Sequence, residues 1–568
     1  MAETELNSNT HKQNTLNART FAEIRLWQGL TFTFNATYDL TNNLVTEYEN
    51  PQVGDAAGSG RVKRTNDRYD IVNFNQLLNF RRTWGNHRVE TLLGHESYSN
   101  TYKFLYGKRE EEIVSGNDEF INFTQTTDLS SYCNRYRTEG YFLRFDYHYG
   151  NRYFLSASYR RDGSSRFHKD ARWGNFWSVG AGWLVNRENF MKAYHWIKLL
   201  KIRSSYGQTG NDNTDSWFPW QNLYSINNNG NEPGFIQNTA AGNRNLKWEL
   251  NKHFDIALEF DFLNRISGTI EYFKRTTNDL LFNVPQPLSG GVLTQWQNSG
   301  SMYNKGVELT LRGFPVARKV RWEVGILLSH FKNEITLLPQ KEISAGYHKR
   351  TAGHSIYDYF LPVFAGVDPE NGDALYRMDT TDENGNITGE TTTNDLNKAT
   401  SYYCGTAIPK LFGAIDNKFT YKGLEFAFKF TYRLGGKTYD NAYSGLMHSG
   451  LYGRTFHTDI LNRWEKAGDR TNVPRLDSSN GDDSTVTTSQ WLTDASYLAL
   501  KSVTLSYSFP EKIPEFFHLK GIRLYGGGEN IFMLTHRKGM NPQYRFTGVS
   551  ANDYSPARIF SFGIDLEF

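Results

Sequence analysis

The chain has 568 residues, a length that fits either several soluble domains or one very large barrel. Its formal net charge of +3 argues against nucleic acid as the main partner, and two cysteines, Cys133 and Cys404, are too few for a disulfide framework. Aromatic residues make up 15% of the chain while mean hydropathy is −0.62, a pairing that suits a thin apolar belt, a polar lumen and long wet loops.

The first ten residues, Met1-Ala-Glu-Thr-Glu-Leu-Asn-Ser-Asn-Thr10, are polar and acidic. They have neither the basic start nor the apolar stretch of a secretory signal. Residues 1–14 therefore read as a disordered or truncated segment, and 15–568 as the C-terminal piece of a longer protein. No apolar run is long enough for a transmembrane helix.

From there the chain reads as paired, alternating strands. Residues 15–27 and 30–49 meet at Gln28-Gly29; in the second, Leu30, Phe32, Phe34, Ala36 and Tyr38 share a face. Residues 67–84 and 87–107 meet at Gly85-Asn86, and 134–149 and 152–166 at Gly150-Asn151. Residues 173–185 and 200–210 are joined by a helical connector, 187–195. Residues 247–263 and 265–283 meet at Leu263-Asn264, 300–313 and 320–337 around Pro315, and 411–421 and 424–440 at Lys422-Gly423. Residues 496–509 and 521–536 are bridged by 510–520, and 557–568 closes the series. Short Gly/Asn turns between alternating segments are a hairpin signal.

The last strand alternates cleanly. Phe560, Phe562, Ile564, Leu566 and Phe568 oppose Ser561, Gly563, Asp565 and Glu567. Phe426, Phe428 and Phe430 likewise oppose Glu425, Lys429 and Arg433. We expect the apolar set to face lipid and the charged set a lumen. Strands this long exceed the globular norm of about five or six residues. Turns on one side are short, whereas 50–66, 108–133, 211–246, 284–299, 338–410, 441–495 and 537–556 are long. That asymmetry matches periplasmic turns and extracellular loops. The fold class is thus an all-β, transmembrane antiparallel barrel. About seventeen strands of a probable 22 are expected, in an incompletely closed wall.

Several segments carry a family resemblance. They are Tyr153–Phe167 (YFLSASYRRDGSSRF), Arg172–Trp183 (RWGNFWSVGAGW), Leu200–Asn211 (LKIRSSYGQTGN), Asn245–Glu249 (NLKWE), Asn304–Leu309 (NKGVEL), Gly366–Asp373 (GVDPENGD) and Tyr497–Leu505 (YLALKSVTL). Together, and in this order, they resemble the C-terminal barrel of SusC/RagA-type TonB-linked outer-membrane transporters of Bacteroidetes. The resemblance implies nutrient import, of oligosaccharide or peptide, across the outer membrane. It implies a SusD-like surface lipoprotein as partner, and a TonB complex acting through the N-terminal region, which with the plug lies outside this chain. A surface all-β carbohydrate-binding protein without transport is the competing expectation.

No catalytic constellation stands out, and no cofactor is expected. Gly526-Gly-Gly528 lies inside a strand, where a bend is expected rather than a phosphate loop. Asp382, Asn384 and Asn386 echo a calcium loop, but Ile387 stands where the tight turn demands Gly, so an Asn384-Gly385 hairpin is expected. Asp368, Asn371 and Asp373 read as a solvated turn. The Arg160, Arg161, Asp162 and Arg166 group is expected to form ion pairs. The candidate ligand-binding residues are Trp217, Trp220 and Tyr224 in loop 211–246, and Trp296 in the next, whose flat rings suit stacking on sugars.

Overall fold

The computed structural model describes residues 2–229, 232–477, 487–537, 539–543, 545–550 and 553–568. The principal strands are β1 (Ser8–Trp27), β2 (Leu30–Glu49), β3 (Arg61–Trp84), β4 (His87–Glu112), β5 (Phe123–Tyr149), β6 (Tyr153–Ser164), β7 (Trp173–Leu184), β8 (Ile197–Asn211) and β9 (Glu249–Phe262). They continue with β10 (Ile266–Asn278), β11 (Ser301–Ala317), β12 (Arg321–Leu337), β13 (Leu411–Tyr421), β14 (Leu424–Leu434), β15 (Tyr497–Ser508), β16 (Gly521–Thr535) and β17 (Ile559–Glu567). They belong to one seventeen-stranded sheet, and each coincides with one of the expected segments.

The chain divides into two compact units: Met1–Trp183 with Ser205–His253 and Thr277–Ser299, and Leu184–Ser204 with Phe254–Thr276 and Gly300–Phe568. In the first, β1 to β7 pair antiparallel with their sequence neighbours. In the second, β11 to β17 do the same.

The tight turns have the backbone their residues favour. Gly150 and Asn151 both lie at positive φ (56° and 52°), as do Lys422 and Gly423 (45° and 85°). Two successive positive-φ residues make the turn whose twist matches paired strands. Leu263 and Asn264 adopt the same geometry (59° and 55°) without a glycine.

Strand ends differ from the sequence reading. Residues 1–14, expected as a disordered or truncated segment, contain a helix at Ala2–Leu6 and the first seven residues of β1. The cause is β2, whose far end supplies register partners Tyr48 to Asn42 for Ser8 to Asn14. β5 begins at Phe123, not 134, because β4 extends to Glu112 and offers pairing that far. β14 stops at Leu434, where Gly435 and Gly436 take φ of 72° and 79°; Lys437–Asp440 then joins a different sheet. The 187–195 connector is two 3₁₀ turns, Val185–Arg187 and Asn189–Met191.

The alternation holds where it was clearest. Phe426, Phe428 and Phe430 stand opposite Leu505, Val503 and Leu500, with ring centroids 5.5 and 5.8 Å apart along β14. Lys429 lies on the other face and pairs with Asp416 at 3.1 Å, as Glu425 does with Lys418 at 2.7 Å. Gly526 and Gly528 sit within β16, opposite Phe562 and Phe560. A Cβ on either would come within 3.2 Å of the facing phenyl ring, so the glycines make room for the aromatic face of β17.

This register makes a measurable demand. Phe428→Arg should destabilise the lipid-embedded chain by about 2–4 kcal/mol if it sits at the midplane. Lys429→Ala, which removes one half-exposed ion pair, should cost roughly 1 kcal/mol or less. Equilibrium urea unfolding in lipid compares the two; equal costs would place Phe428 away from lipid.

Candidate functional site

In the first unit the polar face of β3, β4 and β5 becomes aromatic toward the ends joined by long loops. Side chains alternate, so Asp67 and Tyr69 of β3, Tyr98, Asn100, Tyr102 and Phe104 of β4, and Tyr132 and Tyr136 of β5 share one face. Tyr69 and Tyr102 have ring centroids 4.7 Å apart, and Phe104 and Tyr132 4.8 Å. The Tyr102 hydroxyl donates to Asp67 at 2.5 Å.

The start of loop 211–246 meets this face through Asp212 and Trp217. Trp217 stacks on Tyr102 at 6.2 Å with planes 11° apart. Asp212 accepts hydrogen bonds from the hydroxyls of Tyr136 (2.8 Å) and Ser164 (2.5 Å), and the Arg166 guanidinium lies 4.5 Å over the Tyr136 ring. Side-chain oxygens of Asp39, Asn43, Asn73 and Asn100 on the same face are buried without a hydrogen-bond partner among the described residues.

The four residues chosen from sequence do not converge. Trp217 joins the tyrosines. Trp220 is half-buried, directing its indole N–H to the Ser165 carbonyl at 3.4 Å, with its ring edge-on to His168. Trp296 is half-buried in a small strand, Thr294–Asn298, and its carbonyl accepts from Asn243 at 2.8 Å. Tyr224 is exposed at the start of a separate hairpin strand, Tyr224–Asn229. The strand tyrosines were missed, though the signal was present: Tyr98, Tyr102, Phe104 and Tyr106 all fall at even positions of one strand.

The arginine group splits. Arg160 pairs with Asp162 (2.7 Å) and Glu96 (2.9 Å), and Arg166 approaches Asp212 at 3.7 Å. Arg161 points to the opposite face and lies 5.3 Å over Trp173.

In the second unit the polar strand face carries a connected ion network. Arg203 reaches Glu259 (2.8 Å), Asp255 (3.4 Å) and Glu271 (2.5 Å), and Lys201 also reaches Glu259 at 3.3 Å. The described residues of this unit's long loops are folded. They form small sheets around a core of Tyr359, Leu361, Ala407, Tyr439, Met447, Ile460 and Trp491. Fully buried Tyr359 donates to the Gly548 carbonyl at 2.6 Å, joining segments far apart in sequence. Asp440 caps the helix Asn441–Leu446, accepting from the Tyr443 N–H, and pairs with Arg537 at 2.9 Å.

The Asp382 carboxylate is occupied by the backbone N–H groups of Asn384 and Asn386, which makes a hairpin turn. Asp373 pairs with Arg475 at 2.9 Å. Among the described residues no group of three His, Cys, Asp or Glu side chains could hold a metal ion.

Long paired strands, an ion-paired polar face and an apolar opposite face define the wall of an outer-membrane barrel. The chain matches the family described as TonB dependent receptor-like, beta-barrel, over residues 3–531, and it belongs to that family. It is 30% identical over 469 residues to the TonB-dependent receptor SusC of Bacteroides thetaiotaomicron, covering 78% of this chain and 45% of that protein. It is 26% identical over 605 residues to the TonB-dependent receptor P39 of Formosa agariphila, covering 96% and 57%. The solved RagAB peptide transporter superimposes with a TM-score of 0.87 at 25% identity, covering all of this chain and 63% of that one. The chain thus spans about half the length of the curated relatives it matches. The SusC/RagA-type resemblance of the sequence motifs agrees with these relatives, and the family is one of transporters.

Two measurements test this geometry. Arg203→Ala leaves three carboxylates without their guanidinium and should cost about 1.5–3 kcal/mol in unfolding free energy, the range for hydrogen bonds to charged groups. Arg203→Lys, which keeps charge but not the fork, should recover only part. In the loop core, burial holds the His348 imidazole below its ordinary pKa, against the pull of the Asp358 and Thr547 carbonyls. A depressed imidazole makes the fold fully stable above the ordinary histidine range and less stable as pH falls through it. Limited proteolysis of the loops should accelerate between neutral pH and mildly acidic pH, and His348→Gln should flatten that response.

Proposed function

We propose that this chain forms most of the wall of an energy-coupled importer that carries an oligosaccharide or a peptide across the outer membrane. The observation that carries the reading is the aromatic, carboxylate-bearing polar face of β3–β5 covered by Trp217. Rings bind apolar sugar faces or peptide side chains, while carboxylate and amide oxygens accept hydrogen bonds from hydroxyl or amide donors. A passage that moves polar oligomers needs such weak, repeated contacts and no covalent step.

The motifs shared with SusC/RagA-type chains support two partners of the complete protein. A SusD-like surface lipoprotein would close over the long-loop side, and a TonB complex would supply energy through the N-terminal region. Peptide has one independent support, the similarity of this chain to the RagAB peptide transporter. Oligosaccharide has the sugar-stacking chemistry of the rings.

Among the four residues chosen from sequence, Trp217 is the strongest for ligand contact, because it extends the tyrosine set; Trp220, Tyr224 and Trp296 stand as secondary candidates. Calorimetry on the full-length transporter with its lipoprotein should show Trp217→Ala and Tyr102→Ala each weakening binding by roughly 1 kcal/mol, with Trp220→Ala and Trp296→Ala smaller. Unchanged affinity in the first two variants would remove this face from the ligand path.

A further inference from the structure

The apolar face of β4–β7 carries an unexplained feature at its long-loop end. Along β5, the residues on this face read Arg135, Arg137, Glu139, Tyr141, Leu143, Phe145, Tyr147 and Tyr149. The aromatic and aliphatic part is a membrane band: Tyr141 and Leu143 are exposed, as are Tyr159 and Leu155 of β6 and Trp177 and Val179 of β7. Tyr149 and Tyr153 flank the tight turn at the other end. Two aromatic levels bracketing aliphatic residues mark the two membrane interfaces. The upper level lies toward the long loops, hence at the outer leaflet.

Immediately above it the chemistry changes. Ser97, Ser99, Arg137, Glu139, Arg172 and Trp173 line a groove of about 570 Å³. Trp173 lines it, the Tyr141 ring lies beside Trp173 with centroids 6.3 Å apart, and Arg161 lies over Trp173. Lys103 and Arg135 stand exposed on the same face of the same strands. None of Lys103, Arg135, Arg137, Arg161 or Arg172 has an ion-pair partner among the described residues, and the Arg172 Nε is buried without a hydrogen-bond acceptor. The nearby carboxylate, Glu139, is engaged by the Tyr141 hydroxyl at 2.7 Å and by His95 at 3.4 Å. By contrast, Arg144 pairs with Asp146 and Arg160 with Glu96, both on the polar face.

We infer that this groove binds the phosphate-bearing headgroup of an outer-leaflet lipid. The small serines leave depth between the strands, the arginines supply forked donors for phosphate oxygens, and the band below takes the acyl chains. The level fixes the partner: a charged group directly above an interfacial aromatic row meets headgroups, not substrate, which travels along the opposite face. This rests on the barrel-wall reading, since it takes the apolar face as the lipid face.

The test uses the full chain in detergent micelles doped with phosphorylated lipid A or with the same lipid stripped of phosphate, and measures lipid co-eluting with the protein. The chain should retain the phosphorylated form preferentially. Arg137→Ala with Arg172→Ala should remove that preference, at about fivefold per arginine, the scale of one basic side chain near an anionic lipid surface. Arg137→Lys with Arg172→Lys should keep much of it, Arg144→Ala on the opposite face should keep all of it, and excess inorganic phosphate should not displace the lipid. The strand signal in circular dichroism shows that each variant is folded. Equal retention of both lipids by the parent chain, indifference to the double alanine change, or displacement by free phosphate would overturn the headgroup site. Failure to retain either lipid would instead overturn the barrel-wall reading beneath it.

Discussion

Lipid offers no partner to a backbone N–H or C=O, so a wall of strands survives in a membrane only when its ladders are paired along their length. That requirement shapes the rest of this chain. β2 and β3 stay in register from Leu30 opposite Phe80 to Glu49 opposite Arg61 with no shift, and β3 and β4 from Trp84 to Arg61 likewise. Turns at Gly150-Asn151 and Lys422-Gly423 adopt positive φ because a wider turn would splay the strands it joins.

Once the ladders are paired, alternation separates two chemistries across one layer. On β14 the phenylalanines meet Leu500, Val503 and Leu505, while one residue away Lys429 meets Asp416. A slip of one residue would exchange the faces, putting ion pairs in lipid and phenyl rings in the polar interior. The charged network around Arg203 is tolerated because each of its carboxylates has a cationic partner on the wet side. The glycines of β16 serve the same separation, since side chains there would collide with the rings of β17.

The long loops obey a different economy. In water a loop has no obligation to pair, and most such segments bury little. Here residues 338–410, 437–477, 487–495 and 545–550 contribute to one core, with Tyr359 and Leu361 buried between segments distant in sequence. The hydroxyl of Tyr359 and the Asp440–Arg537 pair satisfy polar groups that this core would otherwise strand. A body built this way presents a fixed surface on the side where the proposed lipoprotein partner would sit.

Strand existence, order and face were legible in the sequence because period-two alternation and Gly/Asn turns are local signals. All seventeen strands lie where those signals placed them. The family motifs were legible for the same reason, each being a short contiguous run. Strand ends were not. Ser8–Asn14 and Phe123–Cys133 are mostly polar and lack clean alternation, and they become strands only because β2 and β4 extend far enough to pair them. The convergence of residues was also beyond reach. Trp217 was chosen for its type, yet its place beside Tyr102 depends on how loop 211–246 folds back onto β4, while Trp220, Tyr224 and Trp296 went elsewhere. Local pattern determines which face a side chain occupies; only the packing of distant segments decides which side chains meet on it.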